Sequence, residues 1–257
     1  MPGDIDVLAA ARDHLVARPH LGPADDFERA VAARIALDEH YCREVADDFE
    51  RQPMSTADAV VARRYEQFTR ECREQYETVR RTGLDVLPSR DHRQPYRNSG
   101  ELFSRVAAEG VLYVQLTETG HGPPGQTGPH PLREPSGVVI DGVPLRHNDL
   151  FRVVHDVFGH LAGRNSFGPV GELRAAYCHL PLFSAEVQPV LFTEHVAQTC
   201  WFYFGPHLRD GAGRIPVAGE PGHRPPSTRP YPPQKVYAFP DAHMARFRRM
   251  FTIRELV

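Results

Sequence analysis

No stretch of this 257-residue chain approaches the run of about eighteen apolar residues that a membrane-spanning helix needs. Its start, Met1-Pro-Gly-Asp-Ile-Asp6, also lacks the basic region and apolar run of a secretory signal. Excess positive charge is missing too: at a net charge of −3 the chain has no electrostatic footprint for nucleic acid or for an anionic membrane surface. The four cysteines, Cys42, Cys72, Cys178 and Cys200, form no closely spaced pair and read as free, mostly buried thiols in a reducing compartment. There is no internal repeat and no glycine-rich phosphate cradle. The composition is consistent with a cytoplasmic globular protein, long enough to bury a large core as a single domain.

The most informative segment present is His155-Asp-Val-Phe-Gly-His160. Leu150, Phe151, Val153, Val154, Val157 and Phe158 leave its helix almost no polar face, so an imidazole on it is buried and needs a partner. Asn148 or Asp149 suits the start of this helix and Gly159 or Gly163 its end. On an ideal helix, residues five apart point about 140° away from each other. Two metal ligands at this spacing require the helix to widen or to end, and Gly159 permits either. The plainer alternative makes His155 a core histidine and His160 a helix-end residue facing the dipole.

A third ligand is suggested by the apolar helical stretch Val190 to Phe204, preceded by Pro189. Glu194 is its one charged residue if His195 is neutral, and a buried lone carboxylate calls for a metal or a paired donor. Glu186, just ahead of the same helix, is the reserve carboxylate. Two histidines and one carboxylate with open positions is the arrangement of iron(II) oxygenases, and zinc hydrolases use the same ligand types around a bound water.

The hexapeptide resembles the iron-binding motif of the aromatic amino acid hydroxylases, most closely in its bacterial phenylalanine hydroxylase version. Phe192-Thr-Glu194 is similar to the family's later glutamate after an aromatic lead-in. The resemblance implies His155, His160 and Glu194 as iron ligands, with Asp156 as a catalytic acid beside a tetrahydropterin. It also implies a mostly helical fold, Fe(II), and O2-dependent hydroxylation of an aromatic amino acid. It covers the hexapeptide and the glutamate helix, whereas Gly120 to His130 does not align with the family's pterin loop, so tetrahydropterin is carried less far than iron. The resulting expectation is a mononuclear non-haem Fe(II) monooxygenase acting on a small organic substrate. The alternatives are a Zn or Mn hydrolase, with Asp156 or a nearby histidine as base, and a non-catalytic metal-binding domain. His155-Asp156 also resembles the paired residues of HD-type phosphohydrolases. Arg146 or Arg133 could hold a substrate carboxylate. His147, His179 and His195 could form a second metal site, while His121, His130, His207 and His223 lie in Gly/Pro-rich loops where exposed histidine is ordinary.

As a fold class the chain reads as mainly α with a small β-sheet or hairpin. A helical part spans 1–95, a metal-site core 96–205, and a Pro-rich loop with a C-terminal helix 206–257. Apolar periodicity predicts helices over Ile5 to Val16 and Phe27 to Phe49, and a third from Ser55 or Thr56 with the stripe Val61, Tyr65, Phe68, Cys72, Tyr76 and Val79. These suggest an antiparallel helix hairpin and a possible homodimer seam. A helix from Ser99, a strand over Val111 to Leu116, a hairpin at Asp141-Gly142 and a last helix from Asp241 to Phe251 complete the reading.

Overall fold

The computed structural model describes residues 5–89, 94–120, 122–123, 126 and 128–253. His121 and the first four residues, on which two of the expectations above fall, lie outside that set. The chain is mainly helical, at 55% helix, with small sheets of two strands each.

Helices α1 (Val7–Val16) and α2 (Asp26–Ala32) lead into the short strand β1 (Arg34–Ile35), then α3 (Glu39–Arg51) and the long α4 (Ala59–Arg81). The single helix expected from Phe27 to Phe49 is thus two. Ala33 turns to extended backbone, and the Asp38 side chain restarts the helix by accepting from the Tyr41 amide at 2.9 Å. α3 and α4 do not form the expected hairpin: α3 packs chiefly on a later helix, α10 (Gln198–Phe204), and α4 on α7 (His147–Val154). Their stripes, Tyr41, Val45 and Phe49 on one and Tyr65, Phe68 and Cys72 on the other, are buried within the chain's own core.

After α4 come β2 (Asp85–Ser89), α5 (Ser99–Glu109) and β3 (Val111–Gln115). The two strands pair in parallel, with α5 as the crossover. The one-turn α6 (Thr117–Gly120) precedes the hairpin of β4 (Pro135–Ile140) and β5 (Val143–Arg146). Its turn is the expected Asp141-Gly142, both at positive φ (49° and 76°), as a two-residue hairpin turn requires. α8 (Pro169–His179) packs on the segment 155–161 that continues α7, the short α9 (Gln188–Leu191) packs on α4, and α11 (Asp241–Arg249) ends in β6 (Phe251–Thr252), which closes back on β1. One connected apolar cluster runs from Ala11 to Met250. No described helix is long and apolar enough to cross a membrane.

Lys235 fastens the C-terminal arm to this core. Its buried ammonium donates to the carbonyls of Phe49 (2.6 Å), Glu50 (2.8 Å) and Gln52 (2.6 Å) at the C-terminal end of α3. Lys235→Met keeps the apolar stem and removes a buried donor from all three carbonyls, of which the Phe49 carbonyl still accepts from the Gln52 amide at 3.2 Å. It should lower the unfolding free energy by about 3 kcal/mol, read from the urea midpoint.

Candidate metal centre

α7 is anchored at its start by Asp149, which accepts from the amides of Arg146 and Thr117, each at 2.7 Å. The helix begins at His147 with Arg146 as its cap, so neither Asn148 nor Asp149 caps it as expected; Asp149 acts from the third helical position. From His155 the helix widens into a π turn through Leu161, and a second π turn spans Phe192–Ala197 between α9 and α10. A π turn closes from residue i to i+5, so residues five apart lie over one another. The spacing of His155 and His160 therefore places both imidazoles on one face.

A cluster of four side chains results. The Nε2 atoms of His155, His160 and His195 stand 3.6, 3.5 and 3.4 Å from one oxygen, Oε2 of Glu172. The His155 ring lies nearly perpendicular to the rings of His160 and His195, with centroids 4.6 and 4.2 Å away. Two ligand atoms about 2.1 Å from one ion and about 110° apart are about 3.4 Å from each other. The three histidine-to-Glu172 spacings match that length, and ligand atoms come within 4.8 Å of one another in two overlapping groups, His155 with Glu172 and His195 and His155 with Asp156 and His160, so the cluster offers ligands to a divalent ion. The Nδ1 of His160 is 2.9 Å from the Asn165 carbonyl, which can only accept. The ring proton sits on that side, and the Nε2 lone pair is free to face an ion.

The electrostatics of the cluster without a metal show the same demand. Burial pushes His155 down to about 3, aided by the neighbouring His195. Burial pushes His160 down as well, but the Glu172 charge and hydrogen bond, with Asp156 and the Asn165 carbonyl, outweigh it and raise it to about 9. For Glu172, burial acts upward and is outweighed by His160 and the three imidazole contacts, which hold the carboxyl well below its usual range. The pocket thus stabilises one positive charge next to Glu172, here a proton on His160, and a bound cation would meet the same need.

Glycine makes the close approach possible. A Cβ on Gly159 would stand 3.0 Å from both His155 Nδ1 and the Ala175 Cβ. Its absence lets α8, which carries Glu172, lie against the π turn.

The sequence-derived ligands divide. His155 and His160 are in the cluster, and Asp156 lies at its edge, in a group with those two histidines. Burial raises Asp156 to about 6, with Glu172 adding to the rise and His160 and Arg152 opposing it. Glu194, the expected carboxylate ligand, faces the same cavity but is otherwise engaged: it accepts from the Tyr65 hydroxyl and from Gln198 Nε2 (3.0 Å), and lies 3.3 Å from His130 Nε2. The carboxylate that reaches the imidazoles is Glu172. Glu186 is exposed, away from the cluster. His195, expected only as part of a second cluster, joins this one. His179 sits behind it, bonded to Gln75 at 2.7 Å, and His147 belongs to neither group. His130, expected to be an exposed loop histidine, is buried beside Glu194.

A cavity of about 550 Å³ opens onto the cluster, with His155, Glu172 and His195 in its wall beside Phe151, Phe202, Tyr203 and Tyr231. Arg133 and Arg146, proposed substrate anchors, line a separate neighbouring cavity that shares Tyr231. There Arg146 reaches Glu118 at 3.2 Å and the Arg133 carbonyl at 3.0 Å, while Arg133 donates to the Gln126 carbonyl at 2.8 Å. An ion held by this cluster would stand at the wall of an aromatic chamber. Comparison with family models, with curated proteins and with solved structures finds no match, so the likeness to aromatic amino acid hydroxylases rests on this chain's own residues.

Proposed function

We propose that the chain is a mononuclear non-haem Fe(II) monooxygenase acting on a small organic molecule, with His155, His160, His195 and Glu172 as metal ligands. The observation that carries this reading is the convergence of three Nε2 atoms on one carboxylate oxygen at the wall of an aromatic-lined cavity. Imidazole-rich sites with a carboxylate suit iron among the first-row metals, and Fe(II) supplies O2 activation when bound. The chain's own residues hold the ion, and Phe151, Phe202, Tyr203 and Tyr231 offer an apolar rest for a flat substrate and keep water away from it. An aromatic amino acid as substrate and a tetrahydropterin as reductant follow from the family resemblance and belong to the same proposal.

One observation favours a second reading. Asp156, raised to about 6 at the edge of the cluster, is poised as a general base for a water on a zinc or manganese ion, which would make the chain a metal-dependent hydrolase.

The test is metal uptake followed by turnover. Protein purified without oxygen should take up one Fe(II) per chain and consume O2 when given a reductant, with tetrahydropterin among those tried, and a panel of aromatic substrates. Stoichiometric zinc that supports ester or phosphate hydrolysis, with no O2 uptake by the iron form, would establish the hydrolase instead.

A further inference from the structure

The metal cavity has three charged side chains in its wall, Glu172, Glu194 and Arg229. Glu172 faces the imidazoles, and Glu194 takes the Tyr65, Gln198 and His130 contacts already described. Arg229 differs. It lies in the Pro-rich loop, half-buried, and its guanidinium rests over the rings of Phe202 and Tyr203, 5.6 Å from each centroid. Nε donates to the Arg224 carbonyl at 2.9 Å and Nη1 to the Phe202 carbonyl at 3.2 Å. These contacts fix the plane of the fork. Among the described residues Nη2 donates to none, and no carboxylate lies within ion-pair distance. Burial lowers its pKa, with Tyr203 acting the other way, yet a guanidinium remains charged at any ordinary pH.

We propose that Arg229 anchors an oxyanion group of the molecule that enters this cavity, so that the substrate is a small organic anion with an apolar body. A cation held in place, partly removed from water and without a counter-ion among the described residues gains a partner when an anion arrives. The guanidinium fork matches the two oxygens of a carboxylate or phosphate. The anion's apolar part then lies against Phe202 and Tyr203 and points toward the wall that holds His155 and His195. This deepens the reading of the cavity as the substrate chamber of the metal site, and it replaces Arg133 and Arg146, which line the neighbouring cavity.

Calorimetric titration of benzoate, phenyl phosphate and neutral benzyl alcohol into metal-free and metal-loaded protein tests it. At least one of the two anions should bind the metal-free protein about tenfold or more tightly than benzyl alcohol, and its affinity should fall as salt rises. The better of the two anions identifies the group as carboxylate or phosphate. Arg229→Gln should abolish the preference for anions while metal content stays at the wild-type level, and Arg229→Lys should keep part of it. Equal affinity for the anions and the alcohol, or an anion preference that survives in Arg229→Gln, would overturn the proposal. Were Arg229→Gln to unfold, salt-independent anion binding by the wild-type protein would overturn it equally. Anion binding through Arg229 in a chain that takes up no metal would sink the oxygenase reading and leave Arg229's role standing.

Discussion

Alanine at His155, His160, His195 or Glu172 should each abolish stoichiometric metal binding, while alanine at Glu194 should leave the metal in place. The four side chains share one point: each imidazole reaches the same Glu172 oxygen within 3.6 Å, so removal of any one opens the coordination shell. Partners that only orient a ligand are worth about 10–100-fold in metal affinity, and loss of a ligand itself should exceed that range. Glu194 sits in the same wall, but its carboxylate is taken up by Tyr65, Gln198 and His130. Glu194→Ala should therefore cost stability, about 2 kcal/mol from buried donors left unpaired, with metal content unchanged. Metal analysis by mass spectrometry and urea unfolding on the same samples separate the two effects. Metal lost from Glu194→Ala but kept in Glu172→Ala would return the carboxylate position to Glu194.

The contrast between these two glutamates shows what was legible in the sequence. His155 and His160 could be found because a spacing of five is wrong for a regular helix in an apolar segment, and Gly159 named the place where the helix could widen. The π turn over His155–Leu161 is that widening. In the second helix, the residue that reaches the imidazole cluster is His195, the neighbour of the expected Glu194. The sequence offers Glu194 as the lone charge in an apolar stretch, and the demand for a partner is real. It is met by Tyr65 from α4 and by His130, residues 129 and 64 positions distant that no local pattern connects. The π turn over Phe192–Ala197 then presents His195 to the cluster. Glu172 carried no signal of its own. An acidic residue in the first turn of a helix that starts at Pro169 is what the helix dipole alone would favour, and only the packing of α8 on the π turn gives it a second role.

The helical character and the Asp141-Gly142 hairpin were legible because each depends on near neighbours. The break between α2 and α3, and the choice of partners for α3 and α4, were not. Both depend on contacts with distant parts of the chain, namely β6 and α10 for α3 and the break before it, and α7 and α9 for the placement of α4. An apolar stripe states that a face is buried without stating against what.

Gly171→Ala should disable the metal site from outside the ligand set. A Cβ at this position would stand 2.0 Å from the Ser166 carbonyl oxygen and 2.6 Å from the Ser166 amide nitrogen, and both are backbone atoms that cannot rotate away. The first turn of α8 must then back off by about 1 Å or more to reach ordinary contact. Glu172 is the next residue, and a ligand bond of about 2.1 Å does not survive a displacement of that size. Overpacking of this kind costs about 1–3 kcal/mol of stability, and metal affinity should fall at least about tenfold beyond what that loss explains. Gly211→Ala is the matched control, since nothing lies within 4 Å of a Cβ there and its backbone conformation is not left-handed. Metal titration of both variants at a temperature where both are folded gives the comparison. Wild-type affinity in Gly171→Ala would show that the approach of α8 to the π turn does not set the position of Glu172, and would remove Glu172 from the coordination sphere.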